Sequence, residues 1–276
     1  MKFFYLLLYI VIMVTSCTRL PLMVSNLTPI NTNLTPQKAE VNIAATLFSS
    51  GQLNPFKPSS QGGGQAVQFK AAPIKNLYFE GSVGNLQDAF TRELVNLRNS
   101  NVLIETRKTN YSAAELGIGA YKTFNKNLTV FLSIGKGSIN YKSNYNNNSV
   151  ATGYVNNINF KNNVVYFNTG IDFCYENLAY TITIKNSYTT FNNINTSDPV
   201  YYTNELQSIN NLGTKRYTQF QQTLGLSKIP KLPWLGIKFF VVANFSANVI
   251  YLDYKKYAIG ILATFKPSCL WGRNTK

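Results

Sequence analysis

Two kinds of side chain in this 276-residue sequence offer chemistry: three cysteines, at positions 17, 174 and 269, and 11 carboxylates set against 26 lysines and arginines. Histidine is absent. That excludes Ser-His-Asp, Cys-His and His-ligated metal mechanisms, and haem held on an axial His. Glu80, Glu115, Asp172 and Glu176 are candidates for acid/base work. The first three share an expected inner face with Lys70, Lys122, Lys185 and Lys238, so a structural network of salt bridges is the simpler reading. A disulfide between Cys174 and Cys269 would need Cα atoms within about 7 Å; two separate thiols are the alternative. Gly62-Gly63-Gly64 lacks the Lys-Ser/Thr of a phosphate loop, and no metal-ligand spacing or cofactor motif is present.

The N-terminus carries an address. Lys2 precedes the apolar run 3–14, long enough for the core of a signal peptide and too short for a membrane-spanning helix. The run closes with Val14-Thr15-Ser16-Cys17, which resembles the bacterial lipobox. The resemblance implies cleavage before Cys17, a diacylglyceryl thioether on its sulfur and a third acyl chain on its amine, which together anchor stably. Thr18 follows in place of an inner-membrane retention Asp, favouring the outer membrane. Residues 17–38, with Pro21, Pro29 and Pro36, read as a lipid-anchored periplasmic tether.

Beyond residue 38 the pattern has period two. In 236–249, Ile237, Phe239, Val241, Ala243 and Phe245 share one face, while Lys238 and Asn244 share the other with Phe240 and Val242. Residues 178–191 set Leu178, Tyr180, Ile182, Ile184 and Tyr188 against Thr181, Thr183, Lys185, Ser187 and Thr189. The stretches 112–124, 128–141 and 257–265 alternate likewise, and 39–48, 65–72, 77–86, 159–174 and 215–228 do so more weakly. This gives about ten strands. The joints 73–76, 125–127, 175–177 and 229–234 are short, whereas 49–64, 87–111, 142–158 and 192–214 are long. Within 87–99, Phe90, Leu94 and Leu97 recur at helical spacing and predict a short helix over the mouth.

Alternation of short and long joints around an even number of strands is the plan of a transmembrane β-barrel. The expected fold is all-β: an antiparallel up-and-down transmembrane barrel over 39–265, apolar side chains toward lipid and Thr, Ser, Asn and Lys lining the lumen. Signal peptide 1–16 and tether 17–38 precede it, and a periplasmic tail 266–276 follows. A soluble, lipid-anchored periplasmic barrel binding an apolar ligand is the competing fold reading. Low charge (13% of residues) and high aromatic content (14%) favour the membrane. The chain resembles the small bacterial outer-membrane β-barrel superfamily, here with a lipoprotein signal. One departure is that Phe265 is followed by eleven further residues, where such barrels often end on an aromatic.

The resemblance implies an outer-membrane location and dealings with barrel-insertion and lipoprotein-sorting machinery. The expected role is non-enzymatic, structural or surface-recognising; a narrow channel or small-ligand carrier through a polar lumen is the alternative. The net charge is +15, and basic pairs recur at Arg107-Lys108, Lys215-Arg216 and Lys255-Lys256, all expected in outer loops or at outer strand ends. They are candidates for contact with lipopolysaccharide phosphates. Compartment and the scattered basic residues speak against nucleic acid.

Overall fold

The computed structural model describes residues 22–23, 40–51, 61–96, 101–125, 127–147, 154–197, 214–246, 252–253 and 257–267. The lipobox, Cys17 and most of the tether lie outside these, as do Lys255, Lys256 and Cys269. Ten strands form one closed ring: β1 (Glu40–Gly51), β2 (Gln61–Ile74), β3 (Leu77–Asn96), β4 (Asn101–Asn125), β5 (Leu128–Asn147), β6 (Tyr154–Tyr175), β7 (Leu178–Thr196), β8 (Thr214–Leu226), β9 (Leu235–Ser246) and β10 (Tyr257–Phe265). Each pairs antiparallel with its neighbour in sequence, and β10 closes on β1 from Tyr257 opposite Gly51 to Phe265 opposite Ile43. A separate two-residue parallel ladder sets Leu22–Met23 beside Leu252–Asp253.

The stagger of the ring follows from the register. A path stepping between partners from Leu77 to Ala120, Leu132, Thr169, Ile184, Phe220, Ala243, Tyr257, Gly51 and Gln61 returns to β3 at Ala89, 12 residues beyond Leu77. An even stagger lets in-and-out alternation continue unbroken round the ring. With ten strands about 4.8 Å apart rising about 3.3 Å per residue, it sets a tilt of about 40° and a backbone radius of about 10 Å.

The outward face is apolar in one continuous band. Leu47, Val67, Phe79, Val83, Leu116, Ile118, Leu132, Ile134, Phe167, Ile184, Leu224, Phe239, Val241, Ile259 and Ile261 are all exposed, Leu116 by 67% and Phe239 by 62%. Water would not tolerate so complete an apolar girdle, whereas acyl chains would favour it. The band ends on a shared line: Ser49, Gln65, Asn85, Ser112, Lys136, Asn163, Asn186 and Thr218 are the next outward positions toward the long-connection end. No helix among the described residues is long and apolar enough to cross a membrane.

The rim is uneven. Strands β3 to β7 run 19 to 25 residues, whereas β1, β2, β8, β9 and β10 run 9 to 14. Since the short turns are level, five strands rise as a wall beyond the band. This corrects two expectations. Residues 87–96 continue β3 and pair up to Asn96 opposite Asn101, so the helix does not form over them; 97–99 lie outside the described residues. The anticipated long loops 87–111 and 142–158 are largely hairpin strands. The backbone gains a full ladder of hydrogen bonds that way, which outweighs a helical stripe of three apolar residues. Tight turns at the other end use left-handed residues, Asn76 (φ 69°) and Glu176 (φ 53°); Asn takes that conformation readily.

Opposed residues stand about 4.5–5.5 Å apart across a ladder, within disulfide range. The double variant Ala45→Cys/Ala263→Cys, in a background lacking the native cysteines, is therefore expected to join β1 to β10 on mild oxidation. The readout is altered gel mobility of the boiled, unreduced chain. Mobility matching that of the two single variants would contradict ring closure.

Candidate functional site: a packed lumen

Inward positions of this barrel converge on a lumen crossed by side chains. Glu80 on β3 meets Lys70 on β2, Nζ to Oε2 at 3.5 Å. Glu80 Oε1 also accepts from Ser133 Oγ at 2.7 Å and from the Tyr166 hydroxyl at 3.0 Å, the latter reaching over from β6. A second pair bridges β4 and β7: Lys185 Nζ donates to both Glu115 oxygens at 2.7 and 2.6 Å, and Ser82 Oγ donates to Glu115 Oε2 at 3.5 Å. Tyr166 couples the pairs, because its ring lies 4.6 Å beneath the Lys185 ammonium while its hydroxyl holds Glu80. Lys70 sits over Tyr78 and Phe131, 4.8 and 4.7 Å from their centroids. Asp172 Oδ1 accepts from Thr181 Oγ1 at 2.9 Å. Lys70, Glu80, Glu115, Lys185 and Lys238 are all buried. Such charges persist only with partners and hydrogen bonds.

A glycine pair makes room for this crossing. Gly117 and Gly135 face each other, and Tyr166 pairs with Gly135. A Cβ on Gly117 would meet the Ile134 carbonyl at 2.9 Å and Tyr166 Cζ at 3.2 Å. Without side chains there, the Tyr166 ring lies flat across two strands and its hydroxyl reaches Glu80.

Much of the remaining lumen has the expected polar lining, Asn42, Thr46, Asn168, Thr181, Thr183, Gln221 and Thr264 among it, but one part departs from that expectation. Phe48, Leu86, Tyr111, Tyr141, Phe160, Phe240, Val242 and Leu262 form a buried apolar cluster inside the ring. Tyr141 stacks on Phe160 at 4.2 Å between centroids, and Tyr111 meets Tyr141 edge-on at 5.1 Å. The inward positions of β9 foreshadow it, since Phe240 and Val242 alternate with Lys238 and Asn244. A ring of about 10 Å radius leaves little space once such side chains fill it.

Of the anticipated inner charges, Glu80, Glu115, Asp172, Lys70, Lys185 and Lys238 occupy inward positions. Lys122 does not: it is exposed on the outer face near the short-turn end, its Nζ 5.3 Å from the Phe124 ring centroid. It lies one residue out of phase with Glu115, and alternation fixes its side. Of the basic pairs, Lys108 and Arg216 are exposed on the outer face. Arg107 and Lys215 stand in strands opposite Phe90 and Thr189. Arg107-Lys108 thus belongs to the wall of β4, not to a loop. Cys174 Sγ lies 3.7 Å from Ser227 Oγ and forms no disulfide among the described residues; Cys269, its anticipated partner, lies outside them. Three outward lysines, Lys136, Lys142 and Lys161, were not singled out from sequence; their signal is position on the outward face of strands whose length is hidden by Asn-rich segments.

Removing one partner strands a buried charge. Glu115→Gln should destabilise the barrel by about 3–5 kcal/mol, and Glu115→Gln/Lys185→Met should recover most of that. Unfolding followed by tryptophan fluorescence in detergent checks it. A cost for Glu115→Gln of less than about 1 kcal/mol would mean that solvent reaches the pair.

No family model matches this chain, and no curated protein matches it. Among solved structures it is similar to the translocator domain of the autotransporter NalP from Neisseria meningitidis, with 11% identity, 84% of this chain and 89% of that one covered, and a TM-score of 0.50. It also matches the outer membrane protease OmpT from Escherichia coli, with 10% identity, 86% and 97% coverage and a TM-score of 0.45. A third match is Ail of Yersinia pestis, in complex with the heparin analogue sucrose octasulfate, with 10% identity, 83% and 100% coverage and a TM-score of 0.36. Closed ring, apolar girdle and the first of these likenesses agree: the chain has the fold of the bacterial outer-membrane β-barrels.

Proposed function

We propose that this chain is a non-enzymatic outer-membrane barrel, lipid-anchored through Cys17, with a sealed lumen and a structural or recognition role. Its raised outer wall meets the surroundings, lipopolysaccharide of the outer leaflet included. The observation that carries the reading is the pair of contacts spanning the lumen, Lys185 with Glu115 and Tyr166 with Glu80. Both carboxylates are buried and engaged, so neither is offered to a substrate. The lack of His in the sequence supports the non-enzymatic reading. In barrels of this plan the short turns face the periplasm and the long connections the outside, and the same orientation is adopted here.

A second reading, a narrow conduit, has one observation in its favour. Inward Asn42, Thr46, Asn168, Thr183 and Thr264 are buried with side-chain atoms that lack protein partners. Buried polar groups of this kind are met by water, and a hydrated seam could pass small solutes. Planar bilayers distinguish the two. The full-length protein is expected to give no discrete current steps, while Lys185→Ala/Glu115→Ala, with the lumen bridge removed, should leak. Current steps from the unaltered protein would overturn the sealed reading and favour the conduit.

A further inference from the structure

The outer wall carries a one-sided set of cations that points to a particular lipid. Lys108, Lys142 and Lys161 lie on adjacent strands β4, β5 and β6, all exposed on the outward face. The register sets Lys108 opposite Asn144, Asn110 opposite Lys142, Lys142 opposite Asn159 and Asn140 opposite Lys161. Lys142 is thus the diagonal neighbour of both other lysines, at about 7–8 Å. Like charges at this spacing repel one another modestly, and an anion among them would relieve that repulsion. The residues between them are asparagines, and the register sets no carboxylate directly opposite or diagonal to any of the three.

A second tier lies lower. Lys136 is the first outward residue above Ile134, where the apolar band of β5 ends. On β8, Arg216 donates from Nη2 and Nε to Asn186 Oδ1 at 2.9 and 3.3 Å, and Thr218 Oγ1 donates to the same oxygen at 2.9 Å. Asn186 is the first polar outward residue above Ile184 on β7. Its carbonyl therefore draws the guanidinium down toward the edge of the band, and the Arg216 side chain remains exposed. From the band's edge to the upper row is two to six residues of tilted strand (Asn163 to Lys161, Ser112 to Lys108, Lys136 to Lys142), about 5–15 Å.

Resting on the recognition reading above, we propose that this flank binds one phosphorylated glycolipid of the outer leaflet at two depths. Lys136 and Arg216 take phosphates on the sugars that bear the acyl chains. Lys108, Lys142 and Lys161 take the acidic groups of the saccharide above. Acyl chains lie along the apolar band beneath. Arginine suits phosphate through its planar fork, and lysines at a membrane surface each add to the attraction.

The test uses the purified full-length protein in detergent, with three probes: lipopolysaccharide carrying the inner-core saccharide, lipid A alone, and inorganic phosphate. Lys108→Gln/Lys142→Gln/Lys161→Gln should lose at least about tenfold in affinity for the first probe and little for lipid A. Lys136→Gln/Arg216→Gln should lose affinity for both lipids. The unaltered protein should bind inorganic phosphate far more weakly than either. Unchanged lipid affinity in both variants would overturn the proposal, and so would inorganic phosphate competing as well as lipid A, which would make the row an adventitious anion site. All five positions are exposed, so the heat-dependent gel shift should persist in every variant and confirm folding. Conductance is untouched by these changes, so loss of lipid binding is read separately from failure of the sealed lumen.

Discussion

Backbone hydrogen bonding in a medium without water governs this molecule. Every N–H and C=O within hydrocarbon must find a partner in the chain, at a cost of several kcal/mol for each that does not. A sheet meets that demand only by closing, and β10 lying against β1 from Tyr257 to Phe265 accomplishes it here. The other features follow. Closure with an even stagger sorts side chains into two faces. One must suit acyl chains, and the other must fill or hydrate a lumen about 20 Å across at the backbone.

The lumen shows how charge is accommodated in such a space. Each pair, Lys70 with Glu80 and Lys185 with Glu115, is neutral. Each ammonium also rests on an aromatic face, and Tyr166 ties the pairs together by touching both. Replacing such pairs with apolar residues is often harmless to stability, so their presence is better explained by specificity than by strength. Partners drawn from β2, β3, β4, β6 and β7 satisfy one another in a single register, and a slipped strand would break them together. The glycines at 117 and 135 belong to the same device, since side chains there would displace Tyr166.

Legibility in the sequence tracks the contrast between the two faces. Where one side meets lipid and the other the lumen, alternation is plain. The ten strands, the outward row of β9 and the inward row Thr181, Thr183, Lys185, Ser187 and Thr189 were readable there. Above the band both faces are polar, the contrast fades, and the strand segments 142–147 and 154–158 read as loop. The helix expected over 87–99 arose from the same loss of signal. Inner charges were readable as a group, but their pairing was not. Which lysine meets which carboxylate depends on the stagger of 12, a property of the whole ring, and Lys122 was assigned inward although its parity points to the other side. The two-tier row of cations was hidden for a related reason: Lys108, Lys142 and Lys161 are far apart in sequence and become neighbours only through pairing.

The central claim is that alternate residues of each strand touch acyl chains within a closed ring. Spin labels placed singly at 237 to 242 in the reconstituted full-length protein address it most directly, through collision rates with oxygen, which partitions into lipid, and with a water-soluble nickel chelate. High oxygen and low nickel collision at 237, 239 and 241, with both low at 238, 240 and 242, is the predicted result. Nickel access at 237, 239 and 241 would show that these apolar side chains do not meet lipid, and would contradict the account.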